Sequence, residues 1–221
     1  MAGVCYLAII VLGLFGEVGV RGALVVGGNA AATAAAIAAS PGLWRLGIGT
    51  DLLMHVLDVP VMVVLYLLLK PVNHGLALMA TVINAVQTAV LAVNKMHLVW
   101  PLLLLDPSST VAQMPLADRQ ALAYAAVQAH AHGFGVGLIF FGVACLLRGW
   151  LIVQSAFMPA LLGWLLLVGG LGYLANSTAL LLLPAWSGLL FPWVLLPALV
   201  AEAGLALWLV FKGGRRPAAA A

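Results

Sequence analysis

The stretch WRLGIGTDLLMHVLDVPVMVVLYLLLK, residues 44–70, decides the fold class. It is apolar over more than the roughly 20 residues that a helix needs to cross a bilayer. Yet it carries Asp51, His55 and Asp58, whose i, i+4 and i+7 spacing places the three side chains on one helical face. Ionisable groups within a span are costly and usually face a protein interior or a wet cavity. The stretch therefore predicts a transmembrane helix whose polar face has a function.

The composition of the whole chain predicts that this helix is one of several. Of the 221 residues, 65% are hydrophobic and only 7% are charged, and the mean hydropathy is +1.19. Soluble domains carry roughly 25% charged residues, so the chain belongs to the polytopic membrane class. The net charge of +3 then predicts no nucleic-acid partner, and the lipid bilayer is the expected partner. Cys5 and Cys145 lie in apolar runs without metal or redox spacing, which predicts buried free thiols.

Six segments are long and apolar enough to span a membrane. The predicted fold is all-α, a polytopic integral membrane helical bundle with about six transmembrane helices. We expect one six-span domain over residues 1–212 and a short cytoplasmic tail over 213–221. The predicted spans are residues 4–26, 43–70, 74–104, 121–150, 157–183 and 191–211.

Basic residues at the ends of the spans predict the orientation. Lys70 ends the second span and Arg148 the fourth, while Lys212, Arg215 and Arg216 follow the sixth. With six spans, these edge residues share one side with the N-terminus, and the positive-inside rule assigns that side to the cytoplasm. The predicted location is the bacterial cytoplasmic (inner) membrane, with both termini in the cytoplasm. The tryptophans expected in an aromatic belt at the opposite boundary are Trp44, Trp100, Trp186 and Trp193.

Polar side chains in the other spans are expected to face the same interior as Asp51. Glu17 and Arg21, spaced i, i+4, suit an internal ion pair. At about 1.5 Å of rise per residue, most polar groups lie in the extracytoplasmic half of the spans. This predicts a pocket that opens to that side and closes below Asp58 and Glu202, rather than an open channel. The candidate ligand- or proton-binding residues are Glu17, Arg21, Asp51, His55, Asp58, Gln87, Asn94, His132, Tyr173, Asn176 and Glu202.

The charge of this pocket leads to the main functional prediction. It would hold four carboxylates, with Arg21 and Lys95, a residue placed near the membrane edge, to neutralise them. Carboxylates in a low dielectric must be protonated, paired or bound to a cation. We therefore expect the protein to bind a small ligand, a proton or a cation, as a transporter-like or sensor-like protein.

Two alternatives come from other functional classes. The first is a membrane-embedded metal-dependent enzyme, with a metal held by Asp51, His55, His132 and Glu202. The second is a structural subunit of a larger membrane complex, whose polar groups satisfy one another and whose partners are other membrane subunits.

Recognisable catalytic and cofactor motifs do not decide between these alternatives. The sequence has no P-loop, no GxSxG, no HExxH and no CxxCH. It therefore names neither a reaction nor a cofactor, and whether the protein is an enzyme stays open. Haem held between His55 and His132 on facing helices is a further alternative.

Several stretches resemble a known family. They include CYLAIIVLGLFGEVGVRGALVV (5–26), RLGIGTDLLMHVLDVPVMVVLYLLLKPVNHGLALMA (45–80), HAHGFGVGLIFFG (130–142), VQSAFMPALLGWLLLVGGLGYLANS (153–177) and AEAGLALWLVFKG (201–213). The most specific element is S-x-x-x-P-x-x-L-G, formed by Ser155, Pro159, Leu162 and Gly163. The chain resembles, over nearly its whole length, the membrane-protein family defined by domain of unknown function 4386. That resemblance implies a small polytopic bacterial membrane protein and carries over no catalytic residue.

Overall fold

Helices long and apolar enough to cross a membrane make up most of the protein. A computed structural model describes residues 1–183, 185–186 and 193–212; the predicted tail, with Arg215 and Arg216, lies outside these ranges. Within them there are six such helical segments and no strand. The all-α polytopic integral membrane class predicted from the sequence is confirmed. The helices are α1 (Ala2–Leu24), the short α2 (Ala30–Ala39), α3 (Pro41–Leu69), α4 (His74–Asn94), α5 (Met96–Leu105), α6 (Leu116–Gln154), α7 (Ala160–Leu182) and α8 (Leu196–Phe211).

The structure corrects two details of the sequence prediction. Helix α6 runs on to Gln154, so Arg148 lies inside it and is not an edge anchor. Arg148 is only 4% exposed. Trp44 is also buried, and its indole nitrogen donates to the Leu98 carbonyl at 2.7 Å instead of joining an interfacial belt. Trp100, by contrast, is exposed as expected.

Two of the spans depart from regular α-helical hydrogen bonding at charged residues. In α1, Phe15–Arg21 forms a π-helical stretch in which the Gly22 N–H donates to the Glu17 carbonyl. The third span breaks between α4 and α5, where the Lys95 N–H donates to the Ala92 carbonyl at 3.3 Å. Such departures turn side chains away from the direction that a regular helix gives them, and they often mark functional positions.

The contacts of the chain divide it into two units. Unit 1 comprises Met1–Ile10, Leu57–Val90 and Gly135–Ala221, of which the structure describes the ranges given above. Unit 2 comprises Val11–Val56 and Leu91–Phe134. Each has its own apolar core, and the single domain expected over residues 1–212 stays a prediction. The core of unit 1 includes Tyr6, Leu65, Cys145, Leu151 and Leu205, and that of unit 2 includes Val20, Ile37, Trp44, Leu98 and Val127.

The S-x-x-x-P-x-x-L-G element forms the turn between α6 and α7 in unit 1. The Ser155 hydroxyl donates to the Ile152 carbonyl at 2.8 Å and accepts the Met158 N–H at 3.3 Å. Pro159 is the N-cap of α7 in an extended conformation. The element therefore ends one span and starts the next within a few residues.

Candidate functional site

A fully buried carboxylate with two cationic partners lies in unit 2. Asp51, on α3, is 0% exposed. Its Oδ2 atom lies 2.7 Å from Arg21 Nη1 and 2.9 Å from Lys95 Nζ. Lys95 is itself only 2% exposed. One buried carboxylate therefore pairs with two cations that have little access to the surface.

Local features of the sequence bring these groups together. Arg21 ends the π-helical stretch of α1, and Lys95 lies at the break between α4 and α5. Gly16, also in the π-helical stretch, leaves room for the carboxylate: a Cβ atom there would collide with Asp51 Oδ1. The i, i+4 pair forms, since Arg21 Nε lies 2.8 Å from Glu17 Oε2. It is not the internal pair that the spacing predicts, because the Glu17 side chain is 60% exposed and therefore does little to neutralise the buried charge.

An imidazole on α6 extends the group. Lys95 Nζ lies 3.2 Å from His130 Nε2 and 5.5 Å from the centre of the Phe134 ring. When Lys95 is an ammonium, this ring nitrogen must accept the hydrogen bond. The Asn94 amide fixes α6 at the same place, because its Nδ2 atom donates to the His130 carbonyl at 2.9 Å. We call Asp51, Lys95 and His130 together the buried chain.

Two polar atoms, one in the buried chain and one next to it, have no hydrogen-bond partner among the described residues. They are Asp51 Oδ1 and His55 Nε2, one helical turn apart on α3. A buried polar atom left without a partner costs about 1–3 kcal/mol. A proton or a ligand atom that bonded either of them would recover part of that cost.

A second polar network lies within unit 1. Asn84 donates from Nδ2 to Asp58 Oδ2 at 2.8 Å and to Gln87 Oε1 at 2.9 Å. The Thr88 hydroxyl also donates to Asp58, and Arg148 Nη1 donates to Asn84 Oδ1. The other terminal nitrogen of Arg148 has no partner among the described residues. This network holds a buried guanidinium through a neutral amide.

A third group, also in unit 1, surrounds Glu202 on α8. The Tyr173 hydroxyl donates to Glu202 Oε1 at 2.5 Å, and Tyr6 lies beside the same carboxyl group. Tyr6 and Glu202 are buried, and Tyr173 is partly buried. A carboxyl group held by neutral hydroxyls is a suitable place for a proton or a small cation.

The structure distributes the eleven predicted site residues among these groups. The buried chain and its neighbours contain five of them, and the networks of unit 1 contain four. His132 is exposed, and its Nδ1 lies 2.8 Å from the Gln128 carbonyl of its own helix. His130, and not His132, therefore belongs to the buried chain. Asn176 is buried in α7. The first group is Glu17, Arg21, Asp51, His55 and Asn94, and the second is Asp58, Gln87, Tyr173 and Glu202.

The candidate site residues predicted from the sequence omit Lys95, Arg148 and His130, and the first two had a usable signal. The largely apolar segment continues for ten residues after Lys95, from Met96 to Leu105, or about 15 Å along a helix, which is too deep for a membrane edge. Apolar residues likewise continue after Arg148. For His130 the sequence offers only a choice between two histidines on different faces of α6.

The metal prediction receives no support from the described residues. Among them, no group of three or more His, Cys, Asp and Glu side chains is arranged to hold a metal ion. His132, which both the metal set and the haem alternative require, is exposed.

Six transmembrane helices that bury charged side chains define a polytopic integral membrane protein. The chain belongs to the family described as Domain of unknown function (DUF4386), whose sequence profile matches residues 1–213. The predicted family is thus confirmed. A relative from Archaeoglobus fulgidus, described as "Uncharacterized protein", is 28% identical over 161 residues, which are 73% of this chain and 80% of the relative. No solved structure matches the chain.

Proposed function

We propose that the protein binds and releases a proton at the buried chain, as the proton-responsive element of a transporter or a sensor. The observation that carries this proposal is the position of Lys95. Its ammonium lies between a carboxylate at 2.9 Å and an imidazole at 3.2 Å, and both are buried with it. Intramembrane proton relays are built from carboxylates and imidazoles, and here the Lys95 amine joins one of each.

The charge balance identifies the proton that moves. Arg21 and Lys95 together bring two positive charges to the one buried negative charge of Asp51, while Glu17, the other partner of Arg21, has a side chain that is 60% exposed. Since an uncompensated charge is costly in a low dielectric, loss of one proton leaves this buried group neutral. Lys95 gives that proton to His130 Nε2, which passes it on, while the guanidinium of Arg21 keeps its proton and stays paired with Asp51.

Release of the proton changes the contacts of three helices. As an amine, Lys95 no longer forms an ion pair with Asp51, so the link from α3 to the α4–α5 break weakens. Other charged and titratable groups that face the buried chain influence whether Lys95 keeps its proton. They are Arg21 and Glu17 from α1, His55 from α3 and His97 from α5. A proton-dependent link between spans is what a coupled transporter or a pH sensor needs.

The test is proton release by protein purified in mild detergent, with a matched pair of lysine variants. Lys70→Met makes the same chemical change at an exposed lysine outside the buried chain, and it should release as many protons as the unchanged protein between about pH 6 and pH 9. Lys95→Met should release about one proton fewer per chain.

A second measurement keeps the proposal testable if Lys95→Met does not fold. In protein labelled with nitrogen-15 at lysine Nζ, the signal that changes in His130→Gln and not in His132→Gln should come from Lys95. It should change from ammonium to amine within the same pH range. A Lys95 signal that stays ammonium throughout would overturn the proposal and favour a purely structural role for the cluster.

We further propose that the proton enters from the extracytoplasmic side of a bacterial cytoplasmic membrane, with both termini in the cytoplasm. In support, unit 2 contains both long connections that the sequence assigns to that side, residues 25–40 and 106–115. Lys70 is exposed at the end of α3, as expected for a cytoplasmic anchor.

Cysteine labelling tests this orientation. In a variant whose native cysteines are replaced, Ser108→Cys should react in intact cells with a reagent that cannot cross the membrane. Asn73→Cys, in the turn before α4, should react only after the cells are opened. The reverse pattern would place the proton entrance on the cytoplasmic side.

The two other functional classes remain as outcomes of these experiments. A bound transition metal that is lost in His55→Ala would favour a membrane-embedded enzyme. Stable co-purification of membrane partners, together with an unresponsive Lys95, would favour a subunit of a larger complex.

A further inference from the structure

A cleft of about 280 Å³ in unit 2 shares no residue with the buried chain. Helix α2, the start of α3 and the end of α5 form its walls. Its apolar surface includes Ile37, Leu102 and Leu105, and its charged residues are Arg45 and Asp106. The cleft therefore combines an apolar lining with one cation and one anion.

The cleft has two exposed charged residues of opposite sign. Arg45 and Asp106 both line the cleft and are both exposed, but no ion pair joins them in the part of the chain that the structure describes. Arg45 lies on the first turns of α3, and Asp106 is the C-cap of α5. Opposite charges on different walls suit a ligand that carries both signs.

The helix ends reinforce this polarity. The first turn of α3 leaves the N–H groups of Gly42 and Leu43 without a helical partner, and a helix N-terminus favours an anion such as phosphate. The last turn of α5 ends at Asp106, and the C-terminus of a helix favours a cation; the Leu104 carbonyl of this turn already accepts from Arg119 Nη1 at 3.3 Å. At the end of α2, the Ser40 N–H donates to the carbonyls of Ala36 and Ile37. These two carbonyl groups are therefore less able to repel an anion bound near Arg45.

Asp106 is already oriented for a cation. The N–H and the hydroxyl of Ser108 both donate to its Oδ1 atom, at 2.8 and 2.7 Å. These hydrogen bonds hold the pKa of Asp106 below its ordinary value, and the charge of Arg45 acts in the same direction. Asp106 therefore stays ionised near neutral pH, and its second oxygen is available to a donor.

The size and position of the cleft restrict the occupant. A volume of about 280 Å³ lies just below the range of about 300–1,000 Å³ of drug-sized ligand sites. It accommodates a polar headgroup rather than acyl chains. Acyl chains have apolar surface next to it, because Leu46 and Leu103 are exposed on the same two spanning helices.

We propose that the cleft binds the headgroup of a zwitterionic, ammonium-bearing phospholipid, with its phosphate at Arg45 and its ammonium at Asp106. The lipid would hold α3 and α5 together at their membrane-boundary ends. This site is independent of the proton proposal, since neither Arg45 nor Asp106 belongs to the buried chain.

Native mass spectrometry of delipidated protein tests the site with three lipids. They are phosphatidylethanolamine, phosphatidylcholine, whose ammonium cannot donate hydrogen bonds, and phosphatidylglycerol, which has no ammonium. We expect phosphatidylethanolamine to be retained roughly tenfold better than either, the factor that one charge-assisted hydrogen bond of about 1.4 kcal/mol supplies.

The variants separate the two ends of the headgroup. Asp106→Asn should abolish the preference for phosphatidylethanolamine over phosphatidylglycerol. Arg45→Gln should reduce the retention of both lipids by similar factors. Asp118→Asn, an exposed acid of unit 2 that does not line the cleft, should retain the full preference. Equal retention of all three lipids by the unchanged protein would overturn the proposal. Binding of soluble glycerophosphoethanolamine as tight as that of the lipid would overturn it too.

Discussion

Replacing Asp51 by asparagine should lower the free energy of unfolding by about 3–5 kcal/mol. The asparagine keeps the shape of the side chain but leaves Arg21 and Lys95 without their shared counter-charge in a buried position. Removing one partner from a buried ion pair is far more damaging than replacing the whole pair by apolar residues. The measurement is unfolding in mixed micelles, or thermal melting in mild detergent.

The matched control is Asp118→Asn, which makes the same chemical change at an exposed position of unit 2. Surface substitutions usually change stability by less than about 0.5 kcal/mol. The double variant Asp51→Asn with Lys95→Met should recover part of the loss, because it removes one of the two cations left unpaired. Equal stability of Asp51→Asn and Asp118→Asn would show that Asp51 compensates no buried charge.

The stability of Asp51→Asn should also depend on pH in a defined direction. With the carboxylate gone, Arg21 and Lys95 repel each other for as long as Lys95 is an ammonium. Loss of the Lys95 proton relieves that repulsion, so the deficit relative to the unchanged protein should become smaller as the pH rises. A deficit that grew with pH would contradict the assignment of the mobile proton to Lys95.

The polar face of α3 shows how far the sequence predicts this site. Helical spacing put Asp51, His55 and Asp58 on one face, and the structure buries Asp51 and His55 and turns Asp58 toward Asn84. Spacing works here because α3 keeps regular helical geometry through these residues. The partners of Asp51 come from other helices, at a π-helical stretch and at a helix break. Neither irregularity has a pattern in the local sequence that fixes where its side chains point.

Arg148 illustrates a different reason for failure. A hydropathy profile ends a span at a charged residue, because it assumes that the charge must reach water. Within unit 1, however, the guanidinium finds the Asn84 amide, and the helix continues to Gln154. Whether a charge lies at an edge or inside depends on partners that are distant along the chain. The positions of the spans could therefore be predicted, whereas the pairing of their polar groups could not.

Close contact between α6 and α7 provides the second large effect, in the core of unit 1. Gly149 and Gly163 face each other: a Cβ atom on Gly149 would lie 2.8 Å from the Gly163 carbonyl oxygen, and one on Gly163 would lie 2.6 Å from that of Gly149. The same reciprocal contact recurs seven residues along each helix, between Gly142 and Gly170, at 3.0 and 2.8 Å. Small residues that allow backbones to approach are a main source of helix association in membranes.

Gly163→Ala should therefore destabilise the protein, although alanine normally favours a helix. The obstacle is backbone, so no side-chain rotation can relieve it, and the cost should lie toward the upper end of the 1–3 kcal/mol that is typical of overpacking, about 2–3 kcal/mol. Gly49→Ala is the matched control, because a Cβ atom there meets nothing within 4 Å. That variant should be neutral or gain up to about 1 kcal/mol from helix propensity.

The double variant Gly149→Ala with Gly163→Ala distinguishes a shared contact from two separate defects. Once the first methyl group has pushed the helices apart, the second meets less obstruction, so the combined loss should be smaller than the sum of the single losses. Strictly additive losses would mean that the two glycines do not share one interface. If Gly163→Ala were as stable as Gly49→Ala, the close contact between these glycines would not contribute to the stability of unit 1.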